Sequence, residues 1–456
     1  MRKESLLKEK RIIPVLLFLL LGLLCGCTPL DSVDNLMRPP KLSGENAGVQ
    51  EAFERATANR TVHMKTPTTG AYRSAYVLYD FDGDGTDEAI TFYSNGDDET
   101  TVYMHILDYS DARWKSVADI KGRGSEVYKL DFCDMNGDGV SEIVVCWSLF
   151  ESSGNQMLTV YTPALHGETP QVRELISEPF TQAVHTDLTG DGSDELFLIT
   201  VSATEDGKSE TVGRLLAMDS DIGIYCAASV DLAPSMRILS LQSQAADLQS
   251  GLPAMVFADC VLGDAKTVTE IVYWNPAEGR LCAPLTQENR TDAPRTLRAT
   301  ALSSTDADRD GLLEIPVLHT LPDAVSVIAE NTQPLDLTEW YGFDGTDLQL
   351  KKSALMLYLS AYSWSLPLEE AEHFAVENDV SERCCTFYHR AADGTRGEIL
   401  FEILTVPTKE WEHRPDRAYT AFAENSSLTY AYRITQFGKQ SGVDADYVQA
   451  HFSAIA

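Results

Sequence analysis

Asp80-Phe81-Asp82-Gly83-Asp84-Gly85-Thr86-Asp87-Glu88 is the stretch whose reading decides the fold. Three carboxylates stand at alternating positions one, three and five, a glycine follows, and a fourth carboxylate closes at position nine. The pattern returns as Asp134-Met135-Asn136-Gly137-Asp138-Gly139-Val140-Ser141-Glu142, and again as Asp187-Leu188-Thr189-Gly190-Asp191-Gly192-Ser193-Asp194-Glu195. It returns once more as Asp306-Ala307-Asp308-Arg309-Asp310-Gly311-Leu312-Leu313-Glu314. A degenerate copy lies near Ala246, where Asp247 and Gly251 survive without the other carboxylates. One acidic-glycine cluster could be a surface turn, but four in matching register, with starts at 80, 134, 187 and 306, define a repeat of one structural unit.

Alternating oxygen donors followed by a glycine are what a calcium loop requires, because the backbone curls around the ion and brings positions one, three and five together. The expected ligands are Asp80, Asp82, Asp84 and Glu88; Asp134, Asn136, Asp138 and Glu142; Asp187, Thr189, Asp191 and Glu195; and Asp306, Asp308, Asp310 and Glu314. Position seven would add a backbone carbonyl from Thr86, Val140, Ser193 and Leu312. An EF-hand is excluded, since its bidentate glutamate at position 12 is replaced by Thr91, Val145, Leu198 and Val317. Ligand charge tunes affinity, so the first and fourth loops should bind more tightly than the third, and the copy near Ala246 should hold no ion.

The flanks read as strands. Ser74–Tyr79 and Val127–Leu130 precede their loops, while Ala89–Tyr93, Ile143–Trp147 and Leu196–Ile199 follow, all rich in β-branched and aromatic residues. A second hairpin completes each unit, with turns at 108–113, Asn275–Gly279 and Asp344–Gly345. Four antiparallel strands at a period of 53 to 60 residues predict a mainly β fold: a β-propeller of about five four-stranded blades over residues 70–350. Residues 351–456 contain no such loop and predict a small α+β domain, with strands near Thr386–His389, Glu398–Leu404 and Leu428–Ile434 and a helix over Asp444–Ala454.

These segments resemble FG-GAP or VCBS repeats, the calcium-loop blades also used by integrin α-subunits. Tyr72–Gly85, together with Asn35–Leu42, is similar to VCBS-repeat lipoproteins of Gram-positive bacteria. Residues 351–456 resemble a domain that recurs in extracellular proteins of the same bacteria, a resemblance that implies no activity.

The N-terminus fixes the expected compartment. Arg2, Lys3, Lys8, Lys10 and Arg11 precede an apolar run, Ile12–Leu24, too short to span a bilayer comfortably. Leu24-Cys25-Gly26-Cys27 looks like a lipobox, which implies a signal peptide over 1–26, a diacylglycerol thioether on Cys27 and a membrane anchor outside the cytoplasm. Residues 27–69 read as a tether, with Pro29, Pro39 and Pro40, and a short helix at Val49–Ala58.

The chain carries 69 acidic against 36 basic residues, a net charge of -33, and lacks the basic footprint that nucleic acid demands. Its remaining cysteines are scattered without any CxxC pair, so a structural zinc site has no support. Cys133 and Cys146, beside one hairpin, could pair across it, and in Cys384-Cys385 one thiol should be buried and the other outward. No nucleophile elbow or phosphate-binding loop is present. His389 and His413 with Asp393, Glu398 and Glu412 are the sparse catalytic candidates, and Trp147, Trp274 and Trp340 are packing residues or a sugar-binding face. The expected function is a calcium-stabilised surface scaffold for an extracellular protein or glycan; the alternative is an envelope hydrolase or accessory enzyme with its site in the propeller channel or at the junction with residues 351–456.

Overall fold

A computed structural model describes residues 47–455, apart from 97, 150–155, 166–169, 205–206, 288–294, 330 and 414–417. The expected signal peptide, lipobox and tether proline residues lie outside the described residues.

Four antiparallel sheets follow one another along the chain, the first of five strands and the next three of four. In the first sheet, Val62–Lys65 and Val77–Tyr79 share one edge of Glu88–Asn95, which then pairs with Asp98–Ser110 and that with Arg113–Lys121. The second sheet comprises Glu126–Cys133, Glu142–Ser148, Gln156–Ala164 and Gln171–Phe180, and the third Gln182–Thr186, Glu195–Ala203, Ser209–Asp219 and Gly223–Asp231. The fourth comprises Arg237–Gln244, Met255–Val261, Thr267–Asn275 and Arg280–Cys282.

The second strand of each sheet explains the stacking. Glu142–Ser148 is buried on both faces, which is why it reads as an unbroken apolar run and not as an alternation. Its odd residues Ile143, Val145 and Trp147 join Phe92, Met104 and Ile106 of the first sheet, whereas Val144 and Cys146 meet Leu196 and Leu198 of the third. The third sheet turns Phe197 and Ile199 toward Val256 and Ala258 of the fourth. The fourth turns Met255 and Phe257 toward Ile315 and Phe343 of the fifth unit. Strand alternation thus feeds a separate apolar layer on each side of every inner sheet. At the open face of the first sheet lies the helix Ala47–Ala56, whose Val49, Ala52 and Phe53 recur at helical spacing and pack on Tyr76, Tyr93 and Trp114.

The fifth unit departs from the expected plan. Its strands Ile315–Ile328, Asn331–Phe343, Leu348–Leu357 and Tyr362–Ser365 belong to a ten-stranded sheet that also takes in Phe374–Asp379, Cys384–Arg390, Arg396–Pro407, Thr420–Glu424, Leu428–Ile434 and Phe452–Ala454. The expected division at residue 350 therefore falls inside a continuous strand. The cause is the length of Ile315–Ile328: both its halves pair with Asn331–Phe343, and on its other edge Ala324–Val327 pairs in parallel with Val376–Asp379. Sheet continuity is invisible to a reading that follows the aspartate loops, because they stop at Glu314. The C-terminal helix is likewise shorter than expected, spanning Ala445–His451 with Asp444 as its N-cap before a strand takes over.

The cysteines divide as their strands dictate. Cys385 is buried and Cys384 only partly so, as alternation predicts. Cys133 and Cys146 do not pair: Cys133 lies opposite Glu142, Cys146 lies opposite Lys129, and both are buried free thiols. A register offset along the hairpin, not strain in the bond, removes that disulfide.

Candidate metal centres

Each intact loop is wound by its own aspartates. The first-position carboxylate bridges the turn: Asp80 Oδ1 accepts from Gly83 N and Oδ2 from Gly85 N at 3.0 Å. Asp134 does the same with the amides of Asp138 and Gly139, Asp187 with those of Gly190, Asp191 and Gly192, and Asp306 with those of Arg309, Asp310 and Gly311. The fifth-position aspartate takes the seventh-position amide, at 2.8 Å for Asp84, Asp138 and Asp310 and 2.9 Å for Asp191. Positions four and six have positive φ throughout, which glycine adopts without a Cβ penalty. Arg309 is the exception, at φ 69 where the other three loops have glycine.

The ninth-position glutamate is the first residue of the following strand in the first three loops, directly precedes it in the fourth, and is swung under the loop. Glu88, Glu142, Glu195 and Glu314 are all buried. Each fixes one carboxylate oxygen on loop amides, such as Met135 N to Glu142 at 3.0 Å and Ala307 N to Glu314 at 2.7 Å. The other oxygen of Glu88 and of Glu314 is buried without a partner among the described residues. Burial pushes Glu88 up to about 8 and Glu142 and Glu314 to about 7, and it raises Glu195 as well. Carboxylates held this way lack a positive charge, and a divalent cation would supply it.

Carboxylate oxygens of Asp80, Asp82 and Glu88 lie within 4.8 Å of one another, as do those of Asp187, Asp191 and Glu195, and of Asp306, Asp308 and Glu314. Such groups could hold a metal ion. Three of the expected acidic residues thus lie together in each of these loops, while Asp84 and Asp310 fall outside their groups. Thr189 donates its hydroxyl to Glu195 Oε1 at 2.7 Å, so the third site gathers around Asp191 instead. In the second loop Asn136 is engaged with Asp138, donating from Nδ2 at 2.9 Å and accepting from its amide at 3.1 Å.

Sequence reasoning missed the way these loops touch. Ser141 N donates to Phe81 O at 2.8 Å and Asp194 N to Asp134 O at 2.9 Å, so the eighth position of one loop holds the start of the preceding loop. The glycines are close there too: a Cβ on Gly83 would stand 2.6 Å from Gly139 O, and one on Gly137 would stand 3.1 Å from Ser193 Oγ. The series breaks at the fourth unit, where Met255 occupies the place of the glutamate and the turn runs over 245–254. Leu313 N then donates to the side-chain Oε1 of Gln244 at 2.7 Å, the amide standing in for a loop carbonyl. A glutamine before a degenerate turn is the only trace of this in the sequence.

The fourth unit is held differently, by an ion pair with no exposed surface. Arg298 bonds Asp259 Oδ1 at 2.8 Å and also engages Thr269 Oγ1, Thr296 O and Leu302 O, while Asp259 Oδ2 takes Ser304 N. This ties 296–304 back across the sheet.

Three of the five catalytic candidates are engaged elsewhere. His389 packs edge-on against Phe437, His413 Nδ1 lies 3.0 Å from Lys409 O, and Asp393 closes its own turn on Thr395. Trp147 is fully buried between the first two sheets and Trp340 is buried under Lys352, so both are packing residues.

No known family matches the chain, and no curated protein is similar to it. Among solved structures it is similar to Sqt1 of Saccharomyces cerevisiae, at 10% identity over 77% of this chain and 85% of that one, with a TM-score of 0.28. A protein from Lactobacillus plantarum is 8% identical over 75% of this chain and 95% of its own, with a TM-score of 0.24. Rhamnogalacturonan lyase YesW is 13% identical over 73% of each, with a TM-score of 0.26. Superpositions this loose leave the fold to be argued from the sheets themselves: mainly β, in stacked four-stranded antiparallel units.

Proposed function

We propose that this protein is a calcium-stabilised, propeller-like scaffold, lipid-anchored through Cys27 on the outer side of the membrane, that binds an extracellular protein or glycan. The observation that carries the calcium assignment is the buried, unpartnered oxygen of Glu88 and of Glu314 beneath a ring of aspartates. An unpaired buried carboxylate oxygen is costly, and a cation in the loop removes that cost. All-oxygen donor sets without histidine or cysteine suit calcium or magnesium, and a flexible shell of carboxylates and loop carbonyls suits the larger ion. The scaffold reading is supported by the engagement of His389, His413 and Asp393 in local packing and turn contacts. The stacked sheets leave their loop ends as the natural binding surface.

The test is thermal unfolding of the folded chain in calcium and in EGTA. An ion bound only to the native state stabilises it by mass action, by about 2.7 kcal/mol at a hundredfold excess over Kd, so the melting temperature should fall in chelator. An unchanged melt would sink the calcium assignment. Capture of partners from envelope extract, with calcium and with EGTA, tests the scaffold reading separately.

A further inference from the structure

The break in the loop series opens a cavity. Between the ion-less turn of the fourth unit and the first turns of the fifth lies a recess of about 150 Å3, walled by Leu252, Phe343 and Leu313 and bordered by Gln244, Asp344 and Lys351. Where two calcium loops meet in the preceding units, backbone fills this space. Here Gln244 reaches across instead, with its Oε1 fixed by Leu313 N. That bond settles the amide's orientation and leaves Nε2 on the other side, buried and without a partner, in a side chain only 5% exposed.

We infer that this recess binds one neutral, polyhydroxylated six-membered ring, a single sugar residue at the end or branch of a glycan. The inference deepens the scaffold reading by naming a ligand class, and it rests on that reading only for the glycan's being extracellular. Size comes first: an apolar cavity of about 150 Å3 elsewhere accepts benzene, so this volume takes one ring and not two.

Polarity narrows the class. Gln244 Nε2 offers a donor at the floor, and an apolar guest would leave it unsatisfied at about 1–3 kcal/mol. Lys351 offers a second donor at the rim; its stem lies over Gly342, where a Cβ would meet Cε at 2.9 Å, and its ammonium has no ion-pair partner among the described residues. Asp344 Oδ2 accepts from Gln349 Nε2 at 2.9 Å and has a lone pair left for a guest's hydroxyl. An anion would therefore face Asp344 with Glu314 behind it, and an ammonium compound would face Lys351 and the amide donor. A hydroxyl donates and accepts at once, so adjacent hydroxyls satisfy both kinds of group while the ring's apolar face lies on Leu252 and Phe343.

The experiment is saturation-transfer NMR on the folded chain at constant millimolar calcium. The probes are the methyl glycosides of glucose, galactose, mannose and N-acetylglucosamine, with benzoate and choline as the charged comparators. At least one glycoside should show transfer above both comparators. Gln244→Met keeps the side chain's length and removes the donor, and Lys351→Met removes the rim ammonium from an exposed site. Each should reduce the transfer at least fivefold, and Lys351→Met should leave the melting temperature in place. If Gln244→Met does not fold, Lys351→Met decides alone. No transfer from any glycoside, stronger transfer from benzoate or choline, or full transfer in the folded variants would each overturn the assignment. Because calcium is held constant and the melt is recorded separately, failure here leaves the calcium reading standing.

Discussion

Glu270 offers the most demanding test of the energetics. It is 2% exposed on the strand Thr267–Asn275, its Oε1 accepts from Ala233 N at 3.1 Å, and its Oε2 has no partner. Among the described residues no cation offsets its charge, and desolvation raises it from an ordinary 4.5 to about 8. The folded state thus binds this proton more tightly than the unfolded chain. Stability from this group is fully present below about pH 4.5, declines as pH rises, and is lost once pH passes about 8. At ~1.4 kcal/mol per pH unit the decline amounts to a few kcal/mol. Glu270→Gln keeps the acceptor for Ala233 and abolishes the titration, but it places an amide donor where Oε2 stood, at a cost of about 1–3 kcal/mol. The variant should be the less stable protein at pH 5 and the more stable one at pH 8.5, by about 1–2 kcal/mol at the upper end. Urea unfolding at half-unit steps from pH 5 to 8.5, with saturating calcium, measures the difference curve. The loop glutamates are common to both proteins and cancel in the difference, so the crossing belongs to Glu270. Parallel pH curves for the two proteins would refute this account.

Further expectations follow from the loops and the core. Arg309→Gly relieves a left-handed residue and should stabilise by about 0.5–1 kcal/mol, read as a shifted urea midpoint at unchanged slope. Asp134→Ala should weaken calcium binding at the first and third loops, which touch the second, while leaving the loop at Asp306 unchanged in calorimetric titration; equal loss at all sites would count against contact-borne coupling. In the same titration the loops at Asp80 and Asp306 should fill before that at Asp187, whose Thr189 contributes no charge. Arg298→Met leaves Asp259 buried and unpaired and should cost about 3–5 kcal/mol in urea unfolding.

Much of this was legible in the sequence, and the boundary of legibility has a physical cause. Carboxylates at alternating positions followed by glycine specify a loop by local chemistry, so Asp80–Glu88 and its copies could be placed by inspection, as could the strands on either side. Burial of Glu88 beneath its loop is also local, since it begins the next strand. What could not be read were contacts between units: Ser141 on Phe81 and Asp194 on Asp134 link residues 60 positions apart through backbone groups that carry no residue-type signal, and Leu313 on Gln244 spans 69 positions with a single glutamine as its trace. The merging of residues 315–328 with 374–379 escaped for the same reason, because parallel pairing needs no turn to announce it.

The row of stacked sheets is finished at both ends, and that has a consequence for how such a chain can grow. The helix Ala47–Ala56 roofs the first sheet, and the ten-stranded continuation absorbs the last unit. A repeat added at either terminus would find no vacant face to sit on, whereas one duplicated between Glu126 and Cys282 would meet neighbours of its own kind on both sides. Lengthening or shortening by recombination is therefore best accommodated in the interior, where the fourth unit keeps Asp247 without the acidic loop and is tied instead by Arg298 and Asp259.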